Sequence, residues 1–204
     1  MGSCCENNCV VDALHLKQHN TLIKVLWINA VMFLVIAAAA FYAHSAALLS
    51  DSLDNLGDAL TYGLSLYVVT QGQAIKARVA LFKGGLIFLA ACMVVAQVIY
   101  RITDPVLPSY EVMSFFSLAG LAANCSCLFL LWQHRHEDIN MSSVFECSRN
   151  DIAANLSVLI AAFGVWIFHS AVPDIIIATL LAALLLRSSA HVIKSALVAQ
   201  RQAS

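Results

Sequence analysis

Long apolar runs separated by short polar connections set the pattern of this chain. Residues 22–43, 79–100 and 112–132 carry only Lys24 and Lys83, each near a segment end. Each run is long enough to cross a hydrocarbon core of roughly 30 Å as a helix. Segments 46–70, 144–168 and 172–197 are also apolar but are interrupted by polar groups. The pattern predicts an all-α integral membrane protein of six transmembrane helices. Residues 1–21 form a short, polar, Cys-containing arm, 22–199 the membrane domain and 200–204 a short tail. Pro105 and Pro108 break the chain after the third helix, and Pro173 stands at the start of the sixth, where its fixed φ is tolerated. The first apolar run exceeds the roughly 7 to 15 residues of a signal-peptide core and reads as a retained span.

Composition sharpens this picture. Hydrophobic residues make up 61% and charged residues 11% of the chain, against roughly 25% charged in soluble domains. The few cations are also placed unevenly. Lys17, Lys24, Lys76, Arg78, Lys83, Arg135, Lys194 and Arg201 fall on one side of a six-span topology, and the opposite connections hold only Arg101. Cytoplasmic loops carry the Lys/Arg excess, so both termini are predicted to be cytoplasmic, in a multi-pass protein of the cytoplasmic (inner) membrane. A formal net charge of −1 offers no footprint for nucleic acid. Cys4, Cys5 and Cys9, on the cytoplasmic side, read as reduced thiols rather than as part of a disulfide framework.

The second span contains Asp51, Asp54 and Asp58, and the fifth contains Glu146, Arg149 and Asp151. Each charge inside a bilayer costs about 2.5 to 3.5 kcal/mol on insertion scales. At about 100° per residue, Asp51, Asp54, Asp58, Thr61 and Ser65 share one arc of roughly 80°. In the fifth span Cys147 and Asp151 are one turn apart, and Asn155 extends their stripe. If the two polar faces meet, Asp54, Asp58, Cys147 and Asp151 supply four ligands, the number a tetrahedral zinc site takes. The thiolate would also accept softer ions such as cadmium. Such a cluster should hold metal or protons and seldom neither, which gives antiport a physical basis. A structural reading, with the acids paired to Arg149 or Lys83, leaves most of the carboxylates uncompensated.

These residues resemble a known family. The stretch Leu48-Leu49-Ser50-Asp51-Ser52-Leu53-Asp54-Asn55-Leu56-Gly57-Asp58 is similar to the second helix of cation diffusion facilitators, which carry a [His/Asp]-x-x-x-Asp motif there. Asp54 and Asp58 match its ligand positions and Asp51 an acidic residue three before it. Cys147-Ser148-Arg149-Asn150-Asp151 matches the family's His-x-x-x-Asp in register, with Cys in place of His. The resemblance covers about residues 20 to 200. It implies a transport site of Asp54, Asp58, Cys147 and Asp151, with helices one, two, four and five bundled around it and three and six alongside. The expected activity is proton-coupled efflux of a divalent transition or heavy metal, zinc or cadmium, by a metal/proton antiporter rather than an enzyme, with no resident cofactor. The family's cytoplasmic metal-sensing domain has no counterpart before Ser204, so a homodimer would form through the membrane helices.

Secondary candidates stay open at this stage. Asp51 and Asn155 are accessory to the site. Cys4, Cys5 and Cys9 either collect a soft metal for it, are acylated, or do nothing. His134, His136, Glu137 and Asp138 form an entry funnel or a solvated loop. Cys92, Cys125 and Cys127 read as packing residues, and Asn29 and Asn124 as hydrogen-bonding groups between helices. A mercury-type uptake protein, suggested by the Cys arm, and an intramembrane aspartyl hydrolase are the competing functions.

Overall fold

The computed structural model describes the backbone of residues 3–68, 73–132 and 139–202, and the described side chains fall between residues 19 and 200. Six helices account for nearly all of it: α1 Ser3–Ala43, α2 Ala46–Val68, α3 Gln73–Thr103, α4 Tyr110–Trp132, α5 Ile139–Phe168 and α6 Val172–Gln202. No strand occurs among the described residues. The stretch read from the sequence as a polar arm is taken into α1, which is helical from Ser3 onward.

Among the described residues, five helical segments are long and apolar enough to cross a bilayer: His19–Ala43, Arg78–Thr103, Tyr110–Trp132, Ser148–Phe168 and Val172–Val198. α2 is not among them, although its 23 residues extend about 34 Å at about 1.5 Å per residue; Asp51, Asp54 and Asp58 all lie on it. Large apolar side chains such as Leu34, Phe41, Phe129, Ile160 and Phe168 point outward, as hydrocarbon requires. Small residues, among them Ala39, Ala43, Ala47, Ala91, Ala161 and Ala178, make up much of the interior, beside larger ones such as Ile36, Leu48 and Met113. This division is the one expected where helices associate by close backbone approach rather than by a difference in hydrophobicity.

The tightest pairings are α1 with α2, α4 with α5 and α3 with α6. Contacts of α1 with α4 and of α2 with α5 close α1, α2, α4 and α5 into a ring, and the α3–α6 pair docks on that ring through α2 and α5. The α1–α2 and α5–α6 corners are tight. His44 and His169 hold them in the left-handed region, with φ of 56° and 46°. At the first corner Ser45 N donates to Ala40 O at 3.1 Å and His44 N to Phe41 O at 3.4 Å, the bonding of a Schellman helix end. Ser109 N donates to Ala43 O at 3.0 Å, which ties the start of α4 to the same corner.

Gly84 sets the approach of α3 to α6. A Cβ there would stand 2.7 Å from Ile193 Cγ1, 3.2 Å from Val192 Cγ1 and 3.3 Å from Ile193 N, whereas at Gly85 nothing lies within 4 Å. Gly84→Ala and Gly85→Ala make the same gain in helix propensity, so their difference isolates the packing. Gly84→Ala is expected to be less stable than Gly85→Ala by about 1 to 3 kcal/mol, the usual cost of overpacking. Thermal unfolding of the two variants in one detergent checks this, and equal midpoints would contradict the close α3–α6 approach.

Candidate functional site

The aspartates of α2 cannot face lipid, and the helix turns them inward. Asp51 is 1% exposed and Asp58 9%, while Asp151 of α5 is 4% exposed. With Asp54 they line a cavity of about 660 Å³ between α2, α5 and α6. Ser50, Asn150, Arg187, Ser188 and His191 contribute further polar groups to its wall, and Leu181, Leu184 and Leu185 an apolar stretch. Tyr62 Oη donates to Asp58 Oδ2 at 2.8 Å, one turn along the same helix. The Asp151 carboxyl is within hydrogen-bonding reach of Asp58, which brings the acids of α2 and α5 together. Asp51 Oδ2 and Asp151 Oδ2 have no hydrogen-bond partner among the described residues. Buried acceptors without donors are costly unless a cation, proton or water serves them.

The structure therefore brings Asp51, Asp54, Asp58 and Asp151 to one wall-lined space, as the two polar stripes suggest. Among the described residues, no three His, Cys, Asp or Glu side chains are grouped so as to hold a metal ion. The side chain of Cys147 lies outside the described residues, as do those of Glu146 and Ser65 and of Cys4, Cys5 and Cys9. His134, His136, Glu137 and Asp138 also lie outside them.

Several polar residues sit elsewhere than their spacing suggests. Asn155 is fully buried, but its Nδ2 donates to Asp151 O at 2.8 Å. Its Oδ1 turns to Gly120 of α4, away from the cavity wall. Asn29 Nδ2 donates to Val25 O of its own helix at 2.9 Å, and neither side-chain atom of Asn124 has a hydrogen-bond partner among the described residues. Among the described residues, neither makes the interhelical hydrogen bond that the sequence suggests. Cys127 packs with Val25, Tyr62 and Leu131, whereas Cys92 and Cys125 are exposed rather than packed inside.

Arg187 and His191 were not legible as site residues, yet both reach the cavity from α6. The available signal was their spacing. They are four residues apart in a predominantly apolar span, hence on one face.

A multi-pass helical membrane protein with an acid-lined cavity inside its helices is, by class, suited to moving cations. The cation efflux transmembrane domain matches residues 22–199, most of the 204-residue chain. The chain belongs to this cation efflux family, whose members are membrane transporters. A sequence comparison with curated proteins finds no match.

The convergence of Asp54, Asp58 and Asp151 on one cavity makes each open to test. Asp54→Ala, Asp58→Ala and Asp151→Ala are each expected to abolish cation transport while the protein still inserts and folds. Relief of repulsion among buried like charges lets stability hold or rise. Flux into proteoliposomes, with size-exclusion profiles as the folding control, is the measurement. Undiminished flux in two of the three would remove the acids from the site.

Proposed function

We propose that this protein exports a divalent transition or heavy metal, zinc or cadmium, from the cytoplasm in exchange for protons. The observation that carries the reading is the placing of Asp54, Asp58 and Asp151, from two helices, on one cavity inside the helices. Carboxylates in that setting hold a dication or protons, and loading of one displaces the other. Cys147 lies one turn before Asp151 on α5 and completes a four-ligand set. A thiolate in that set favours softer ions than the imidazole of the family motif would.

The excess of Lys and Arg at the termini and their connections supports a topology with both ends of the chain in the cytoplasm. The ion then enters from the side where α2 ends and α5 begins, and leaves toward the α1–α2 corner. Helix rearrangement exposes the site to one side at a time. A homodimer, if formed, uses the outward apolar faces of the helices. The mercury-uptake reading asks for paired thiols around the ion, whereas the described wall is lined by carboxylates. The hydrolase reading draws on the proximity of Asp58 and Asp151, but membership of a transporter family weighs against it.

The ligand role of Cys147 predicts selectivity. Cys147→His should shift preference from cadmium toward zinc, because a borderline imidazole replaces a soft thiolate. Competition binding of the two ions to the purified protein measures the ratio, and an unchanged ratio would mean that Cys147 does not touch the ion.

Proton exchange predicts the pH dependence. The ligands bind metal deprotonated, so affinity is expected to weaken as pH falls and to recover as it rises. Everted vesicles should accumulate metal against its gradient only while a proton gradient stands. Accumulation that survives a protonophore, with affinity flat between about pH 5.5 and 8, would rule out coupling through these acids.

A further inference from the structure

The first turn of α2 is capped from another helix. Helix α2 begins with amides that have no partner within the helix. Ser45 Oγ accepts from Leu48 N at 3.0 Å, as an N-cap hydroxyl does, and donates onward to Asp174 Oδ1 at 2.6 Å. The other two amides are served by the same carboxylate: Ala46 N donates to Asp174 Oδ2 at 2.8 Å and Ala47 N to Asp174 Oδ1 at 3.1 Å. Asp174 belongs to the first turn of α6 and is 1% exposed. Its charge lies between the positive ends of two helix dipoles, its own and that of α2.

These bonds join the two bodies of the molecule. α6 pairs with α3, and the pair meets the four-helix ring through α2 and α5. Separation of α6 from α2 at this corner must break all three bonds and would leave a buried carboxylate without donors. A second partner stands nearby on α3. Arg101 is 5% exposed, and its Nε has no hydrogen-bond partner among the described residues. Its guanidinium lies over the Tyr100 ring at 5.8 Å, on the helix that packs against α6. Since α3 and α6 pack most tightly on each other, Arg101 would travel with Asp174.

We propose that Asp174 is the latch that keeps the α1–α2 corner shut, held by the first turn of α2 in the closed state and received by Arg101 when the corner opens. Both are positioning residues of the transport cycle and touch no ion. The proposal rests on transport by alternating access, and not on the identity of the metal or on its ligands. A latch with two alternative partners is a bistable element, the physical requirement for a switch between two packings. Breaking one partner biases the equilibrium toward the other.

Hydrogen exchange of the full-length protein in lipid nanodiscs tests the latch without any transported ion. In Asp174→Asn, exchange across residues 44–52 is expected to rise about tenfold or more, with a smaller rise in Ser45→Ala and none in the peptides of α4 and α5. Unchanged exchange in Asp174→Asn, or an even rise through every helix, would overturn the proposal. The second arm measures zinc uptake from the side of the chain termini. Asp174→Asn should raise KM about threefold or more with maximal rate per folded protein kept, because the competent state is less populated. Arg101→Gln should lower the maximal rate without raising KM, since the open corner loses its carboxylate partner. A loss of rate at unchanged KM in Asp174→Asn would show a structural cap only and refute the latch. Should the wild type not move zinc, unchanged exchange in Asp174→Asn still refutes the latch, so failure of the metal assignment is separable from failure of the latch.

Discussion

A carboxylate inside hydrocarbon must find a donor, a cation or water, and this requirement governs how the six helices are arranged. α2 carries Asp51, Asp54 and Asp58 within two turns, so it cannot present that side to lipid at any rotation that leaves them unpartnered. It is placed against α1, α3, α5 and α6, and its acids open on an internal space with Asp151. The outer face is free to be apolar, and the side chains that cover it are among the largest in the chain. The same constraint explains why α2 alone falls short of a lipid-exposed span in hydropathy. Its surroundings are protein and cavity on its polar side.

Close packing of small residues makes this arrangement affordable in space. Alanines at the α1–α2 corner, Ala39, Ala40, Ala43, Ala46 and Ala47, are all buried, and Gly84 and Gly164 leave α3 and α5 within contact of Ile193 and Pro173 of α6. In lipid, association of this kind is driven by van der Waals contact and polar bonds, since burial from water contributes nothing between spans. Among the described residues, Asp174 with Ser45, Ala46 and Ala47 and Ser109 with Ala43 hold the α1–α2 corner, and Tyr62 holds Asp58 one turn away on α2. Several buried amides and hydroxyls, among them Asn55 Oδ1, Ser117 Oγ and Asn155 Oδ1, keep an unpartnered atom among the described residues. A membrane interior with such spare valences is suited to rearranging, because different packings can satisfy different members of the set.

The cavity also defines a chemical gradient along the wall. On α2 and α5 it is acidic, and on α6 it carries Arg187 and His191. A cation between these walls would be attracted by one and repelled by the other at Arg187, which favours the side of α2 and α5 over that of α6. Tyr62 supports this by holding Asp58 through its hydroxyl while its own ring is buried. Orientation of the second-helix acid is thereby fixed by a residue that does not itself line the cavity.

Much of this was written in the linear pattern. Apolar runs of span length located the helices, because hydrocarbon thickness sets their extent and backbone bonding inside lipid leaves helix as the single-segment solution. The 3.6-residue period placed Asp51, Asp54 and Asp58 on one face, and the one-turn spacing to Cys147 singled out Asp151. Tertiary structure alone decided which faces meet. Nothing in the order of residues revealed that Asp174, 127 residues or more from the amides it caps, serves as the cap of α2. Nor did it show that Arg187 and His191 line the same cavity as the acids, or that Asn155 turns to Gly120 instead. Those facts depend on the rotation of each helix about its axis and on which small residues let two backbones approach. Both are set by packing among all six helices together, and local periodicity carries no record of them.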